Sequence, residues 1–470
     1  MTTLLVAQFL IAGALSVGAG QALQTSPEVD VTEALALAER GDVNAQCRLG
    51  TYYSEGPAET RDFVKARQWF KKAADQGYAD GQRGLGRLYD SLDPDAHDAE
   101  QAARWYALAA DQGDAIAQYH LGHLYVEGDE VTANPTRGVA LMTAAAEQGL
   151  VDAQVDLAFR YRDADGVAVD QAKSLRWFTA AAEQGHPKGQ FGLGFAYNRG
   201  LGVAVDYTKA FALYLEAARQ GQMEAQFNLG VFYEKGRGVT ADCANAAEWY
   251  GRAADQGSVR AMVLLGILAK QCGSDRPELA AEWWRKAAER GDGDACVNLG
   301  NLYRDGEGVP QDFQEAFKWY VKGAETGNAG AEGAVGHAYT QGMGVAIDYE
   351  QALKWLRLSA SKKDPTSLCN LGQMYYKGWG VPPDDREALR LFLESANLGL
   401  DQAQFNLGVF YRDGHGTEPD PVSSYVWFSL AARQEVKEAQ ARANTMRHYL
   451  TPAQLAEAER RLAEWKAVTP

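Results

Sequence analysis

The dipeptide Leu-Gly, or a close variant of it, returns through the chain at Gly50, Gly86, Gly122, Ala158, Gly194, Gly230, Gly266, Gly300, Gly336, Gly372 and Gly408. Every step is 36 residues except that from Gly266 to Gly300, which is 34. A fixed period of roughly 20 to 50 residues restricts a chain to a solenoid, in which each repeat buries its apolar surface against its neighbours. Eleven repeats fill residues 43–435, preceded by a capping segment over 24–42 and followed by capping helices over 436–470.

Two apolar patterns occur in each repeat. In the sixth, Ala225, Leu229, Phe232 and Tyr233 fall at helical spacing, and after a glycine loop Ala246, Trp249, Tyr250, Ala253 and Ala254 do so again. Each repeat therefore reads as a helical hairpin, helix A then helix B. Helix B ends at Gly257 and at its equivalents, where glycine accepts the left-handed conformation that closes a helix; Lys363 and Glu435 break that rule. Asp312 with Glu315, and Asp348 with Gln351, have the spacing of a reciprocal cap at the start of helix B. Glycine inside helix A costs about 1 kcal/mol relative to alanine, so the glycine of Leu-Gly implies close approach of helices A and B. Ala158 at that position favours a tight contact over a positive φ. Eight of the eleven tryptophans, from Trp69 to Trp427, share one position of helix B with Leu141, Leu213 and Leu391, and that interchange marks them as core.

These residues resemble the Sel-one-like repeat (SLR) family, a branch of the tetratricopeptide-repeat-like superfamily. The resemblance lies in Ala225, Leu229-Gly230 and Tyr233 of helix A, in the loop Gly236-Arg-Gly238-Val239, and in the Ala-x-x-Trp-Tyr/Phe-x-x-Ala-Ala-x-x-Gly pattern of helix B. It implies an all-α fold, a right-handed superhelical solenoid of antiparallel helix pairs with a concave groove lined mainly by A helices. It also implies a scaffold or adaptor that binds a partner protein or peptide in that groove. Some cysteine-rich secreted members are associated with penicillin binding or β-lactam hydrolysis, so a penicillin-binding, β-lactamase-like or cell-wall-associated protein is the alternative reading. A passive structural spacer is the third.

A formal charge of −16 repels phosphate backbones and anionic membrane surfaces, and no Lys/Arg cluster offsets it, so nucleic acid is not an expected partner. Leu4 to Val17 is almost wholly apolar and is followed by small residues, which reads as a signal peptide over 1–23 and a periplasmic or secreted protein; a membrane-anchored or cytoplasmic one is the alternative. No other run reaches the roughly 20 apolar residues that span a bilayer. The mature chain is expected to be a monomer.

The Gly-x-Gly-Val loops at Gly200, Gly236, Gly306, Gly342 and Gly378 join helix to helix, without the strand or Lys-Ser/Thr of a phosphate loop, and read as hairpin turns. Ser359 and Lys362 make one Ser-x-x-Lys match with no companion motif, so no catalytic residue is assigned. Asp90 to Glu100 is rich in acids, lacks the spacing of a calcium loop and reads as solvated, so no metal or cofactor is assigned either. Cys47, Cys296 and Cys369 read as small buried residues, whereas Cys243 and Cys272 lie in or beside the loops of adjacent repeats and can pair in an exported protein.

The groove candidates come from two positions of helix A and the turn after them. The residue before Leu-Gly is Asn228, Asn298, Asn370 and Asn406, with Arg48, His120 and Asp156 elsewhere; the residue after it includes Arg87, His123, Asn301, His337 and Gln373. The next turn adds Asn198, Glu234, Arg304 and Arg412. Asparagine offers a donor and an acceptor, so such a row can hold an extended peptide backbone; the competing reading is that the asparagines tie neighbouring helices together. The near-identical stretches AQFNLGVFY from Ala225 and from Ala403 are followed by Glu-Lys-Gly-Arg in one copy and Arg-Asp-Gly-His in the other, and recognition is expected where the copies differ.

Overall fold

The computed structural model describes residues 31–128, 131–272 and 276–468. The expected signal peptide lies outside them. Every regular element among the described residues is helical, and the helices alternate A and B as the period requires. They form two compact blocks that divide between Gln220 and Gly221. The second carries repeats 6 to 11; repeat 8, for example, pairs helix A over Gly293–Asp305 with helix B over Phe313–Glu325.

The hairpin is tight for the reason its glycine implies. A Cβ added at Gly408 would stand 2.5 Å from the Phe428 ring, and one at Gly86 would stand 2.5 Å from Tyr106. The ring that fills this contact follows the tryptophan position, and Tyr106, Tyr214, Tyr250, Phe178, Phe392 and Phe428 are fully buried there. The tryptophans are shallower. Trp283, Trp319 and Trp355 are half-exposed, and a basic side chain covers several of them, as Lys286 does at 4.1 Å from the Trp283 centroid.

Helix B starts as expected in part. Asp312 accepts from the amides of Gln314 and Glu315 at 2.9 Å, but Glu315 turns to Lys318 instead of closing a reciprocal box. A full box forms at Thr451 with Gln454, which opens the C-terminal helix Pro452–Glu464. At the other end of helix B, Lys363 and Glu435 take the same left-handed conformation as the glycines they replace, with φ 62° and 63°. That conformation costs an L-residue with a side chain about 1–2 kcal/mol.

What binds one repeat to the next is a buried amide relay. The glutamine three residues before the leucine of Leu-Gly is buried at Gln46, Gln82, Gln118, Gln154, Gln190, Gln226 and Gln404. Its Oε1 accepts from the Nε2 of a glutamine at the end of its own repeat's helix B, 2.7–3.0 Å away, in seven pairs from Gln76–Gln46 to Gln434–Gln404. The Nε2 of Gln46, Gln118, Gln154 and Gln404 turns to the helix B before it, as from Gln154 to Ala146 O at 3.0 Å, whereas that of Gln190 turns to Glu216; the second glutamine in five of the pairs reaches the closing glycine carbonyl of the preceding helix, as from Gln184 to Gly149 O at 3.1 Å. The last carbonyls of a helix lack partners within it; the closing turn supplies one, as Gly149 N does for Ala146 O, and the following repeat adds a second.

Repeat 9 keeps the geometry with different chemistry. Lys362 Nζ donates to Glu332 Oε1 at 2.6 Å and to Gly327 O at 2.7 Å, and Glu332 is only 2% exposed. Where the A position is apolar or a thiol, the partner is no longer an amide: Met262 goes with Arg290, Cys296 with Thr326 and Leu368 with Leu398.

Two outcomes are expected in urea unfolding. Lys362→Gln alone strands a buried carboxylate and lowers stability by roughly 1–3 kcal/mol, whereas adding Glu332→Gln rebuilds the amide pair and recovers that loss. Lys363→Gly, which relieves the left-handed lysine, is expected to stabilise the protein by about 1 kcal/mol.

Candidate functional site

Asn298, Asn301 and Arg304 lie on helix A of repeat 8, His337 on that of repeat 9 (Ala329–Gln341), and Asn370 and Gln373 on that of repeat 10 (Pro365–Lys377). Neighbouring A helices in this series touch one another, so these side chains belong to one surface of the second block. Asn228 lies on helix A of repeat 6, and Asn406 and Arg412 on that of repeat 11.

Five of these nine candidates are committed within the chain. Asn228 Nδ2 donates to Glu224 O one turn back, at 2.7 Å. Asn406 meets Gln402 Nε2 at 3.2 Å and Cys369 Sγ at 3.6 Å. Asn301 Oδ1 accepts from the buried Tyr320 hydroxyl at 2.8 Å. Arg304 and Arg412 each fork onto the next residue, Asp305 and Asp413, through two 2.7 Å bonds. Asn228 is thus tied within its own helix, Asn406 reaches the neighbouring A helix through Cys369, and the tyrosine contact accounts for Asn301.

The other four differ. Among the described residues Asn298, His337, Asn370 and Gln373 are half-buried, and none has a side-chain hydrogen bond. Burial, and secondarily the charge of Arg304, lowers the His337 pKa, so its ring is neutral at neutral pH and presents one donor and one acceptor. The four form a polar row over three successive A helices with its hydrogen-bonding groups unspent.

A signal for the committed positions was present in the chain. Where the residue after the tryptophan position is tyrosine, helix A or the turn that continues it offers its hydroxyl a polar partner: Asp90 to Tyr106 at 3.1 Å, Glu234 to Tyr250 at 2.7 Å and Asn301 to Tyr320. Two differences between the copies of AQFNLGVFY are spent likewise. Glu234 holds Tyr250, and His415 Nδ1 lies 3.0 Å from Asp385 Oδ2 of the preceding repeat.

The remaining chemistry candidates become structural. The Ser359 hydroxyl is buried, donates to Ala329 O at 2.7 Å and sits 2.7 Å from Ser367 Oγ, while Lys362 is engaged by Glu332. The Ser-x-x-Lys match is thus part of repeat stacking. The acidic loop is not simply solvated, because Asp93 is buried against Arg67. No group of metal-binding side chains occurs among the described residues. Cys296 and Cys369 are buried as expected, but Cys47 is half-exposed. Cys243 and Cys272 are joined as a disulfide, with Cα atoms 6.0 Å apart.

In the first block the A-face residues pair with one another. Arg87 meets Glu55 at 2.5 Å, and Arg160 holds Asp156 and Asp165 at 3.5 and 2.7 Å. His120 stacks on Tyr106 with centroids 5.3 Å apart.

The Sel1 repeat model matches eleven times, at 43–78, 79–114, 115–150, 151–186, 187–222, 224–258, 259–292, 293–328, 330–364, 365–400 and 401–436. The chain belongs to the Sel1 repeat family. Its structure is similar to that of a protective antigen present in uropathogenic Escherichia coli strains that displays an SLR fold, with 34% identity over 93% of this chain and 94% of that one and a TM-score of 0.78. It also resembles a Sel1 repeat protein from Oxalobacter formigenes, with 29% identity over 73% of this chain and 89% of that one and a TM-score of 0.51. No curated protein matches the sequence. Sel1 repeat proteins generally act as protein-interaction scaffolds. No helix among the described residues is long and apolar enough to cross a membrane.

His120 gives the Sel1 array a pH dependence. Burial, then the charges of Arg87, His123 and Arg83, lowers its pKa to about 4. An unfolded histidine titrates near 6.5, so between those values the unfolded chain binds more protons, and stability falls as pH drops from about 6.5 to 4, by about 3 kcal/mol in all. His123 has the opposite sign, because its hydrogen bond to Glu127 raises its pKa and its contribution is lost as pH rises. Thermal melts at pH 7 and pH 5 are expected to show a smaller acid loss in His120→Gln than in the parent chain.

Proposed function

We propose that the protein is an exported, non-catalytic scaffold that binds an extended segment of a partner protein along the A-helix face of repeats 8 to 10. The observation that carries this reading is the row Asn298, His337, Asn370 and Gln373, whose polar groups the chain itself does not use. Packed helices lie about 8–10 Å apart and an extended chain advances about 3.3 Å per residue, so successive A helices would meet every third residue of such a segment. Backbone amides and carbonyls of the partner suit asparagine and glutamine, which donate and accept together.

Export is supported by the apolar segment Leu4 to Val17 and by the Cys243–Cys272 disulfide, since such bonds persist in oxidising compartments. The similar E. coli protein is a protective antigen, which agrees with a location outside the cytoplasm. A β-lactam-reactive role loses its one motif to the burial of Ser359.

A photo-crosslinking residue placed at Gln373 in the native host is expected to capture a partner, and one at the exposed Lys318 on helix B is not. Capture at both sites alike, or at neither, would count against the assignment and favour a passive spacer. With a captured partner in hand, replacing all four residues by alanine is expected to weaken binding at least about thirtyfold, at about 0.5 kcal/mol or more per lost bond, with little change in melting temperature.

A further inference from the structure

The joint between repeats 6 and 7 is built unlike its neighbours. In repeats with a Gly-x-Gly loop, the second glycine rests on the first residue of the preceding helix B. A Cβ at Gly380 would stand 2.7 Å from Tyr349 Cβ, and Cβ atoms at Gly308, Gly344 and Gly416 would collide with the backbone at Pro277, Phe313 and Asp385. Each of those four partners opens its helix B. The contact needs a residue without a side chain, and it clips each loop to the repeat before it.

Repeat 7 is the 34-residue repeat, and the sequence between its helices, residues 272–276, has no Gly-x-Gly. Cys272 follows its helix A, Val259–Gln271, and is bonded to Cys243. Cys243 is the first residue of helix B of repeat 6, Cys243–Asp255, the position that Tyr349 and Asp385 hold in theirs. Cys272 holds the place of the first loop glycine, two residues before the one that makes the contact, so the disulfide ties the start of the loop to the same helix-B residue that the glycine contact reaches elsewhere.

The bond is open to chemistry. Cys243 is exposed and Cys272 half-exposed. Cys296 and Cys369 are buried, and burial pushes the thiol of half-exposed Cys47 up to about 11, so these three are poor competitors for exchange.

We propose that Cys243–Cys272 is a redox-sensitive staple that replaces the loop-glycine contact, so that a dithiol reductant loosens the joint between repeats 6 and 7 and leaves the other joints intact. In the step, one thiolate of the reductant attacks the exposed Cys243 Sγ. The Sγ–Sγ bond breaks, and Cys272 leaves as a thiolate that takes up a proton. The second thiol of the reductant then displaces Cys243, so the reductant ends as a disulfide and the protein gains two electrons and two protons as two thiols.

Thiol titration under denaturing, non-reducing conditions is expected to count three thiols, rising to five after dithiothreitol; five at the outset would overturn the proposal. Hydrogen exchange is then compared in oxidised protein, dithiothreitol-treated protein and Cys243→Ser/Cys272→Ser. The expected result is exchange about tenfold faster or more in peptides over 243–249 and 266–272 when the bond is absent, with repeats 9 to 11 unchanged. Unchanged exchange at the joint, or loosening throughout the block, would overturn it. A further variant combines Cys243→Ser with replacement of residues 272–276 by the sequence of 236–242. It is expected to regain slow exchange and to ignore dithiothreitol; continued fast exchange would overturn the equivalence with the glycine contact.

Discussion

The stack depends on a hydrogen-bonding problem that each repeat solves for the one before it. The last carbonyls of helix B accept one bond from the closing turn, as Ala146 O does from Gly149 N at 3.0 Å, and keep a second lone pair that only a neighbour can use. A buried glutamine on the next helix A, held by a second glutamine 30 residues further on, answers those carbonyls, as Gln154 and Gln184 do. The pair works only when both repeats are in place, so it couples folding of neighbours as well as fixing their register. Repeat 9 reaches the closing glycine carbonyl with Lys362, which Glu332 holds, so geometry is kept while chemistry varies.

The period, the two helices of each hairpin and the close contact at Leu-Gly were all legible in the sequence, because each follows from spacing and residue size. The relay was not. Gln226 and Gln404 stand two residues before the Asn228 and Asn406 that drew the eye, and a single polar letter does not tell whether it faces water or a neighbour's carbonyl. The clue was the paired change: where the A position becomes Met262, Cys296 or Leu368, the residue at the end of helix B changes with it. The acidic loop misled in the same way, since the burial of Asp93 depends on Arg67, 26 residues away.

The same distinction narrows the candidate site. Polar residues at one helical position divided into those spent inside the array, such as Asn301 under Tyr320, and those left over, such as Asn370. Neither the spacing of the asparagines nor the differences between the two AQFNLGVFY copies separates these groups, because the separation depends on which ring or carboxylate the opposing helix supplies. Recognition is thus sought in the residue of the hydrogen-bond count and not in the most repeated letters.

Side-chain amide exchange of glutamine, followed by NMR in protein labelled with 15N-glutamine, reads both halves of this account at once. The account predicts slow exchange for the relay amides, among them those of Gln154, Gln226 and Gln404, and solvent-rate exchange for Gln373. Relay amides that exchange at the solvent rate, or a Gln373 as protected as they are, would contradict it.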